Sequence, residues 1–359
     1  MVEWKKLGDI AKRNKGIPIT AGQMSELNTS NGNVRVFAAG QTLADINEND
    51  LPENCAHLKP SIIVKSRGYI DFVFYEKPFT HKNEMWSYSF DDREEGKFLY
   101  YYLTTKTEFF RKKAKANSVK LPQLCVADTD DYLVPYPSLQ EQKRIVGILD
   151  MFTSSIDNLK QQIAQRRKQY EHYRDQLLDL EGKEGVEMKT LGEICDNLDC
   201  KRKPITSSKR KAGIYPYYGA SGIVDYVEGY IFDGEYLLVS EDGANLVART
   251  YPIAFSIKGK NWVNNHAHVL AFDSKITQKF VEIYLNMIDL SPWINGAAQP
   301  KLNQANLNII NIPVPSLSEQ QRIVDILDKF EASIQNLEAQ LSQREKQYEY
   351  YRNKLLTFE

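Results

Sequence analysis

The sequence contains one segment twice, and this duplication constrains its fold more than any other feature. Residues 135–178 and 313–356 align without a gap over 44 positions, of which 28 are identical. A weaker match joins Leu7-Gly8-Asp9-Ile10 to Leu191-Gly192-Glu193-Ile194, whereas the residues between the anchors have diverged. Long self-similarity of this kind indicates an internally repeated architecture. Each half of the chain is therefore predicted to consist of a divergent globular part, which we call a head, followed by the near-identical segment.

The near-identical segment predicts a long helix. Ser138 and Ser316 follow a proline and precede a glutamate by three residues, which is the spacing of a capping box at a helix start. Apolar or aromatic residues then recur every 3.5 positions, the period of a coiled-coil seam. In the first copy the seam runs through Ile145, Leu149, Phe152, Ile156, Leu159, Ile163, Arg166, Tyr170, Tyr173 and Leu177. Because each helix leaves its own head and the halves are repeats, we expect the two helices to pair antiparallel.

The fold class predicted from these features is α+β, with two mixed α/β heads separated by an antiparallel two-helix coiled coil and an internal twofold repeat. Short β-rich runs in the heads are interrupted by Gly and Asn, and no strand–helix alternation with long crossovers is present. The predicted boundaries are head 1 at 1–134, the first long helix at 135–181, a linker at 182–187, head 2 at 188–312 and the second long helix at 313–359.

Composition excludes several classes of protein. Lys plus Arg number 46 against 47 Asp plus Glu, so the chain is not a uniformly basic nucleic-acid binder. A hydrophobic fraction of 42% and a charged fraction of 26% are typical of globular proteins. No apolar run approaches a membrane span or a secretory signal. The four cysteines have no disulfide or zinc spacing, and we expect free thiols in a cytoplasmic protein.

Motifs for catalysis are missing from the sequence. It has no phosphate-binding Gly-x-x-x-x-Gly-Lys-Ser/Thr, no Gly-x-Gly-x-x-Gly and no Asn-Pro-Pro-Tyr for an amino-methyltransferase. His266 and His268 lack a third ligand at zinc-like spacing, so we expect no metal site. These motifs therefore give no candidate catalytic residue.

Positive charge is concentrated in short runs without acids. The run at residues 12–15 follows the first anchor, and the run at 201–203 has the corresponding place in head 2. Such clusters neutralise phosphates, while neighbouring polar side chains read base edges. Repetition in both heads favours this function over two unrelated solvated surfaces. The candidate DNA-binding residues are Lys12, Arg13, Lys15, Ser66, Arg67 and Asn83 in head 1, and Lys201, Arg202, Lys203, Lys209, Arg210, Asn245, Arg249, Asn264 and Asn265 in head 2.

The chain resembles the specificity (S) subunit of type I restriction–modification systems over its whole length. The pattern Pro-x-Pro-Ser-Leu-x-Glu-Gln-x-Arg-Ile-Val-x-Ile-Leu-Asp opens both long helices, and Asn264-Asn265-His266-Ala267-His268 lies in head 2. Head 1 lacks the Asn-x-His-Ala element and reads His81-Lys82-Asn83-Glu84 instead.

The resemblance implies that each head is a target-recognition domain reading one half of a bipartite double-stranded DNA site. Helices of this length suit an unread spacer of about five to eight base pairs. The implied partners are two methyltransferase subunits docked on the helices and, through the complex, restriction/translocase subunits. The resemblance also implies that the chain itself is non-catalytic and has no cofactor, and that S-adenosylmethionine, ATP and magnesium belong to the partners.

Three alternatives stay open at this point. The same scaffold could serve a methylation-only or other phage-defence complex, carry an unrecognised nuclease site, or act as a structural adaptor whose heads bind protein. The residues predicted to contact the methyltransferase subunits are Tyr170, Tyr173, Tyr348 and Tyr351, because protein interfaces favour tyrosine. The alternative for these four residues is that they only fill the seam between the helices.

Overall fold

A computed structural model describes residues 2–118, 120–296 and 299–358. The chain divides into two compact units: unit 1 comprises Met1–Lys160 with Ala339–Glu359, and unit 2 comprises Gln161–Glu338. Each unit thus combines one head with part of both repeated segments. No helix in the described part of the chain is long and apolar enough to cross a membrane.

The elements of head 1 form a sheet in the order β2-β8-β5-β6, a smaller sheet β4-β3-β7 and the antiparallel pair β1-β9. The strands are β1 (Glu3–Lys6), β2 (Lys12–Lys15), β3 (Val34–Phe37), β4 (Leu43–Ile46), β5 (Ser61–Lys65), β6 (Asp71–Tyr75), β7 (Phe79–His81), β8 (Trp86–Ser89) and β9 (Leu133–Tyr136). The helices are α1 (Leu7–Ile10), α2 (Ala21–Leu27), α3 (Arg93–Thr105), α4 (Thr107–Asn117) and α5 (Val126–Asp130), and α6 (Leu139–Leu178) follows as the first long helix.

The elements of head 2 form one sheet in the order β11-β16-β14-β15-β12-β13 and the antiparallel pair β10-β17. The strands are β10 (Glu187–Thr190), β11 (Asp196–Asn197), β12 (Ala212–Gly219), β13 (Gly222–Val227), β14 (Phe232–Ser240), β15 (Ala254–Val263), β16 (Ala267–Ala271) and β17 (Asn311–Val314). The helices are α7 (Leu191–Ile194), α8 (Asn245–Ala248), α9 (Lys275–Met287) and α10 (Gln304–Asn308), followed by the second long helix, α11 (Leu317–Leu355).

Both heads share one strand framework although their sequences have diverged. β8 pairs with β2 and β5 in head 1, and β16 pairs with β11 and β14 in head 2, all antiparallel. The register sets Trp86 opposite Val64 and His268 opposite Val239. A matching backbone bond follows β5 and β14: Gly68 N donates to Pro122 O at 2.8 Å, and Gly243 N to Pro300 O at 3.1 Å. The duplication therefore includes the heads, as predicted.

The long helices pair antiparallel within each unit. In unit 1 Phe152 stacks on Tyr351 with ring centroids 5.3 Å apart, and Lys160 Nζ lies 3.6 Å from Glu345 Oε1. In unit 2 Tyr173 stacks on Phe330, also at 5.3 Å. In unit 1 the residue number on α11 falls from 351 to 345 as the residue number on α6 rises from 152 to 160. This confirms the predicted antiparallel coiled coil.

Each head's core is completed by residues from both repeated segments. In unit 1 the buried residues Ile145 and Leu149 of α6 and Leu356 after α11 join the sheet and α3. In unit 2 Ile323 and Leu178 join the corresponding cluster. Burial of these apolar side chains supplies the main driving force for the contact.

The observed helix bounds are narrower than the predicted segment at 135–181. Residues 133–136 pair with β1 as strand β9, so α6 begins at Leu139. Pro137 disfavours helical geometry in the residue before it, and the Ser138 hydroxyl accepts a bond from Glu141 N at 3.4 Å.

Candidate nucleic-acid interface

The basic run of head 1 forms β2, which is the edge strand of its sheet. Lys12, Arg13 and Lys15 are exposed, and Arg13 Nε lies 3.2 Å from Asp130 Oδ2. Asn14 instead donates to the Ser87 hydroxyl of β8 at 3.1 Å. The strand thus faces its neighbour with Asn14 and presents its cations to solvent.

Three other predicted residues of head 1 lie close to β2. Ser66 is buried, and its hydroxyl donates to the carbonyl oxygen of Glu84. Asn83 N donates to Ile17 O at 3.1 Å, which joins the turn at residues 82–85 to the segment after β2. Arg67 and Asn83 are exposed. The structure therefore brings these residues together, with Ser66 supporting the turn and the other two side chains reaching solvent.

The basic run of head 2 does not have the predicted place, because the strand register puts Asp196 and Asn197 at the positions of Lys12 and Arg13. The run follows β11 and contains two kinds of residue. Lys201 and Lys203 are exposed, whereas the Arg202 guanidinium is largely buried. Arg202 Nη1 lies 2.6 Å from Glu241 Oε2, and Nη2 lies 3.2 Å from Asp199 Oδ2. A phosphate contact by Arg202 would require breaking both ion pairs, so its geometry favours a structural role.

Arg202 belongs to a buried network around His268. The His268 Nδ1 lies 2.6 Å from Asp199 Oδ2, and its Nε2 lies 2.7 Å from the carbonyl oxygen of Leu302. Burial alone would raise the pKa of Asp199, but the hydrogen bond and charge of His268 and the charge of Arg202 outweigh it and lower that pKa. The Asp199 carboxylate is therefore held ionised in the interior.

Asp199, Glu241 and His268 could offer three metal ligands within 4.8 Å of one another. Positive charge is already supplied there, because Lys301 Nζ lies 3.1 Å from Glu241 Oε1 and Arg202 contacts both carboxylates. The cluster is best described as an ion-pair network that fixes β16 and the segments beside it.

Other predicted residues of head 2 differ in how much their side chains are already used. Asn245 Nδ2 donates to Tyr251 O at 2.9 Å, and Arg249 Nη2 donates to Ile288 O at 2.8 Å. The buried Asn264 accepts a bond from His266 N at 2.8 Å through Oδ1. These three side chains stabilise the local backbone. That they contact bases stays a prediction, and their existing hydrogen bonds do not favour it.

The remaining candidates reach solvent more freely. Lys209 and Asn265 are exposed. Arg210 is half-buried over the Tyr217 ring at 4.5 Å and lies 3.3 Å from Asp225.

One exposed pair was missed from the sequence. His266 Nδ1 lies 2.8 Å from Asp242 Oδ2 beside Asn265. No local signal marks this pair, because the match of Asp242 after β14 with Arg67 after β5 depends on the strand register.

The four tyrosines chosen for a partner interface contribute to the helix seam. Tyr170 donates to Glu331 Oε1 at 3.2 Å, and Tyr348 lies against Phe152 with centroids 6.5 Å apart. Tyr173 and Tyr351 stack on the opposite helix yet stay 45% and 40% exposed. Seam filling therefore accounts for Tyr170 and Tyr348, whereas Tyr173 and Tyr351 also offer surface to a partner.

Two heads with the same strand framework, each carrying an exposed basic segment and joined to long paired helices, define a duplicated protein with two binding modules. The chain belongs to the family of the type I restriction modification DNA specificity domain, whose model matches residues 1–166 and 183–345.

Relatives in this family cover the chain to different extents. A type I restriction enzyme EcoprrI specificity subunit from Escherichia coli is 33% identical over 68% of this chain and 63% of its own length. The EcoR124I/EcoR124II specificity subunit, also from E. coli, is 29% identical over 99% of this chain and 94% of its own. A Haemophilus influenzae protein assigned provisionally as such a subunit is 43% identical, and the match spans about half of it, 48%.

A solved structure has the same fold. The S subunit of a type I restriction–modification system from M. genitalium superposes with a TM-score of 0.69 at 18% identity, over 100% of this chain and 97% of that one. At this identity the likeness concerns the fold alone.

Proposed function

We propose that this chain is the sequence-specific DNA-binding subunit of a type I restriction–modification complex and that each head reads one half of a bipartite site. The observation that carries the proposal is an exposed basic segment near a polar turn in each head, on β2 in head 1 and shortly after β11 in head 2. Lysines at such an edge neutralise phosphates, and side chains of the turn are free to contact bases. The chain is then non-catalytic, and the chemistry belongs to its partners.

A salt titration tests the DNA-binding part of this proposal. The logarithm of the association constant for duplex DNA should fall linearly with the logarithm of salt concentration. Replacing Lys201 and Lys203 together by Ala should weaken binding to all sequences and reduce the slope by up to about two. Lys258→Ala, an exposed lysine in the middle of β15, is the matched control. An unchanged slope would remove the run at 201–203 from the interface.

Methylome sequencing of cells with and without this chain tests its part in a complex. We expect a methylated bipartite motif that is lost when the chain is absent. Methylation without cleavage of unmodified DNA would identify a methylation-only complex, and the absence of any dependent motif would contradict the proposal.

The helices are proposed to set the length of the unread spacer. The seam from Ile145 to Leu177 covers 33 residues, or about 50 Å at 1.5 Å per residue. Two heads on one face of DNA are most naturally one turn apart, about ten base pairs from centre to centre. If each head covers about three to five base pairs, roughly five to eight base pairs between the half-sites are left unread.

Matched insertions test this role of the helices. Four residues added near Ile163 and four near Leu341 nearly preserve the 3.5-residue phase and should lengthen the spacer by one to two base pairs, about 6 Å. Two-residue insertions should disrupt the seam and abolish activity. If the four-residue variant kept its spacer length, or changed its half-sites, the helices would not set the length of the spacer.

The exposed faces of the paired helices are proposed to dock two methyltransferase subunits. Two further helices could complete a four-helix bundle on such a pair. Tyr173 and Tyr351 are the proposed anchors, because each keeps substantial exposed surface beside the seam.

A further inference from the structure

We propose that Asn83 in head 1 and Asn265 in head 2 are equivalent base-reading residues, each recognising an adenine in the major groove of its own half-site. The inference rests on the proposed function and deepens it by assigning one specificity position in each head and the base that it reads.

The strand register establishes that the two residues are equivalent. Val64 lies opposite Trp86 and Val239 lies opposite His268 in the matching strand pairs. Counting back three residues from Trp86 and from His268 reaches Asn83 and Asn265. Both residues occupy turns that lead directly into the central strand, β8 or β16. The sequence alone concealed this match, because the flanking residues of the two turns differ.

Both turns are anchored to the same neighbouring segments. In head 1 Leu124 N donates to Ser66 O, and the Ser66 hydroxyl donates to the carbonyl of Glu84. In head 2 Leu302 N donates to Glu241 O, and Glu241 N donates to His266 O at 2.9 Å. In both heads, therefore, the segment after β5 or β14 holds the residue that follows the Asn. A reading residue needs this kind of support, because a bidentate contact tolerates little displacement.

The two amides are available to a ligand. Both side chains are exposed, and neither side-chain carboxamide is hydrogen-bonded to another residue within the described parts of the chain. Nearby polar groups are engaged, by contrast: Asn264 accepts from His266 N, and Glu84 lies 3.2 Å from Lys82 Nζ.

An exposed lysine lies near each of the two turns. Lys15, exposed on β2, pairs in register with Trp86, three residues after Asn83. In head 2 the Lys203 carbonyl accepts a bond from Trp262 Nε1 at 2.5 Å, and Trp262 precedes Asn265 by three residues. Each turn can thus be positioned by phosphate contacts while its Asn faces a base edge.

The amide chemistry selects the base. A carboxamide offers one acceptor and one donor side by side, which matches the N6 donor and N7 acceptor of adenine in the major groove. An aspartate of the same shape only accepts, and its complement is the N4 donor of cytosine.

Selection from a randomised duplex library, using the full chain with its methyltransferase partner, tests the assignment. The wild type should select a bipartite motif. Asn83→Ala should lose discrimination for adenine at one position of one half-site, by about 5- to 150-fold, and leave the other half-site intact. Asn265→Ala should do the same in the other half-site, and Asn83→Asp should shift the preference from adenine to cytosine.

Each other outcome has a definite meaning. An unchanged motif in the Ala variants, or weaker binding to all sequences without a change in motif, would overturn the assignment of these two residues while leaving the proposed function standing. If the wild type selected no bipartite motif, the proposed function itself would fail and the assignment with it. The intact half-site in each single variant serves as the internal control for folding.

Discussion

Replacing Leu356 by Ala tests whether a residue far from head 1 in the sequence stabilises that head. Leu356 follows α11, is 3% exposed, and lies in the same cluster as Ile62 and Phe98. Leu178 occupies the matching place in unit 2 and is 2% exposed. Leu356→Ala should therefore destabilise unit 1, and Leu178→Ala should destabilise unit 2.

The expected magnitude follows from the burial of the side chain. Removing a fully buried leucine side chain costs about 2–5 kcal/mol, which combines the lost transfer free energy with the cavity left behind. Each 1.4 kcal/mol corresponds to about a tenfold change in equilibrium, so the opening equilibrium of unit 1 should rise by about 30-fold or more.

Hydrogen exchange on the full chain measures the two units separately. Amides of β5 and β8 report on unit 1, and amides of β14 and β16 report on unit 2. Glu349→Ala, an exposed position on α11, is the control and should change neither. Loss of protection in unit 2, or equal loss in both units, after Leu356→Ala would refute the assignment of this residue to the core of unit 1.

Three further predictions follow from the sites described. Arg202→Ala should destabilise head 2 by about 1.5–3 kcal/mol in urea unfolding, because it removes charge-assisted contacts to Asp199 and Glu241 while His268 and Lys301 still pair with them. Lys201→Ala should leave stability unchanged and weaken only DNA binding. Burial lowers the pKa of His81 to about 4, so the unfolded state binds a proton at a higher pH than the folded state does. The free energy of unfolding of unit 1 should therefore fall by up to about 3 kcal/mol as pH falls from 6.5 towards 4. Hydrogen exchange at pH 7 and pH 5 checks this, and equal stability at both pH values would contradict it. Replacing Tyr173 and Tyr351 by Ala should reduce co-purification of the methyltransferase subunits, and unchanged recovery would leave these tyrosines with only their place in the seam.

The long helices were predictable because their information is local and repeated. A 3.5-residue period assigns every seam position to one face, and 28 identities in 44 positions show that the second copy obeys the same rule. The observed burial follows this pattern, with Tyr173 and Tyr351 as the exposed members of the two seams. The antiparallel direction followed from connectivity alone.

The interior of the heads was less predictable because their strand pairs join residues that are distant in sequence. Nothing local in Arg202 distinguishes it from Lys201, yet one is held by Asp199 and Glu241 and the other is exposed. The equivalence of Asn83 and Asn265 was hidden for the same reason: it depends on register, which the hydrophobic pattern of short, diverged strands does not fix.

The order in which the cores are completed during synthesis follows from the composition of the two units. Domains usually fold in the order in which they leave the ribosome, the N-terminal one first. Here head 1 is made first, but its core includes Leu356 and its unit includes Ala339–Glu359. Head 1 therefore exposes an unfilled apolar cleft until this late segment becomes available. The growing chain is most vulnerable to aggregation, proteolysis and chaperone capture at its oldest part, and this vulnerability ends only once Leu356, which follows α11, has left the ribosome.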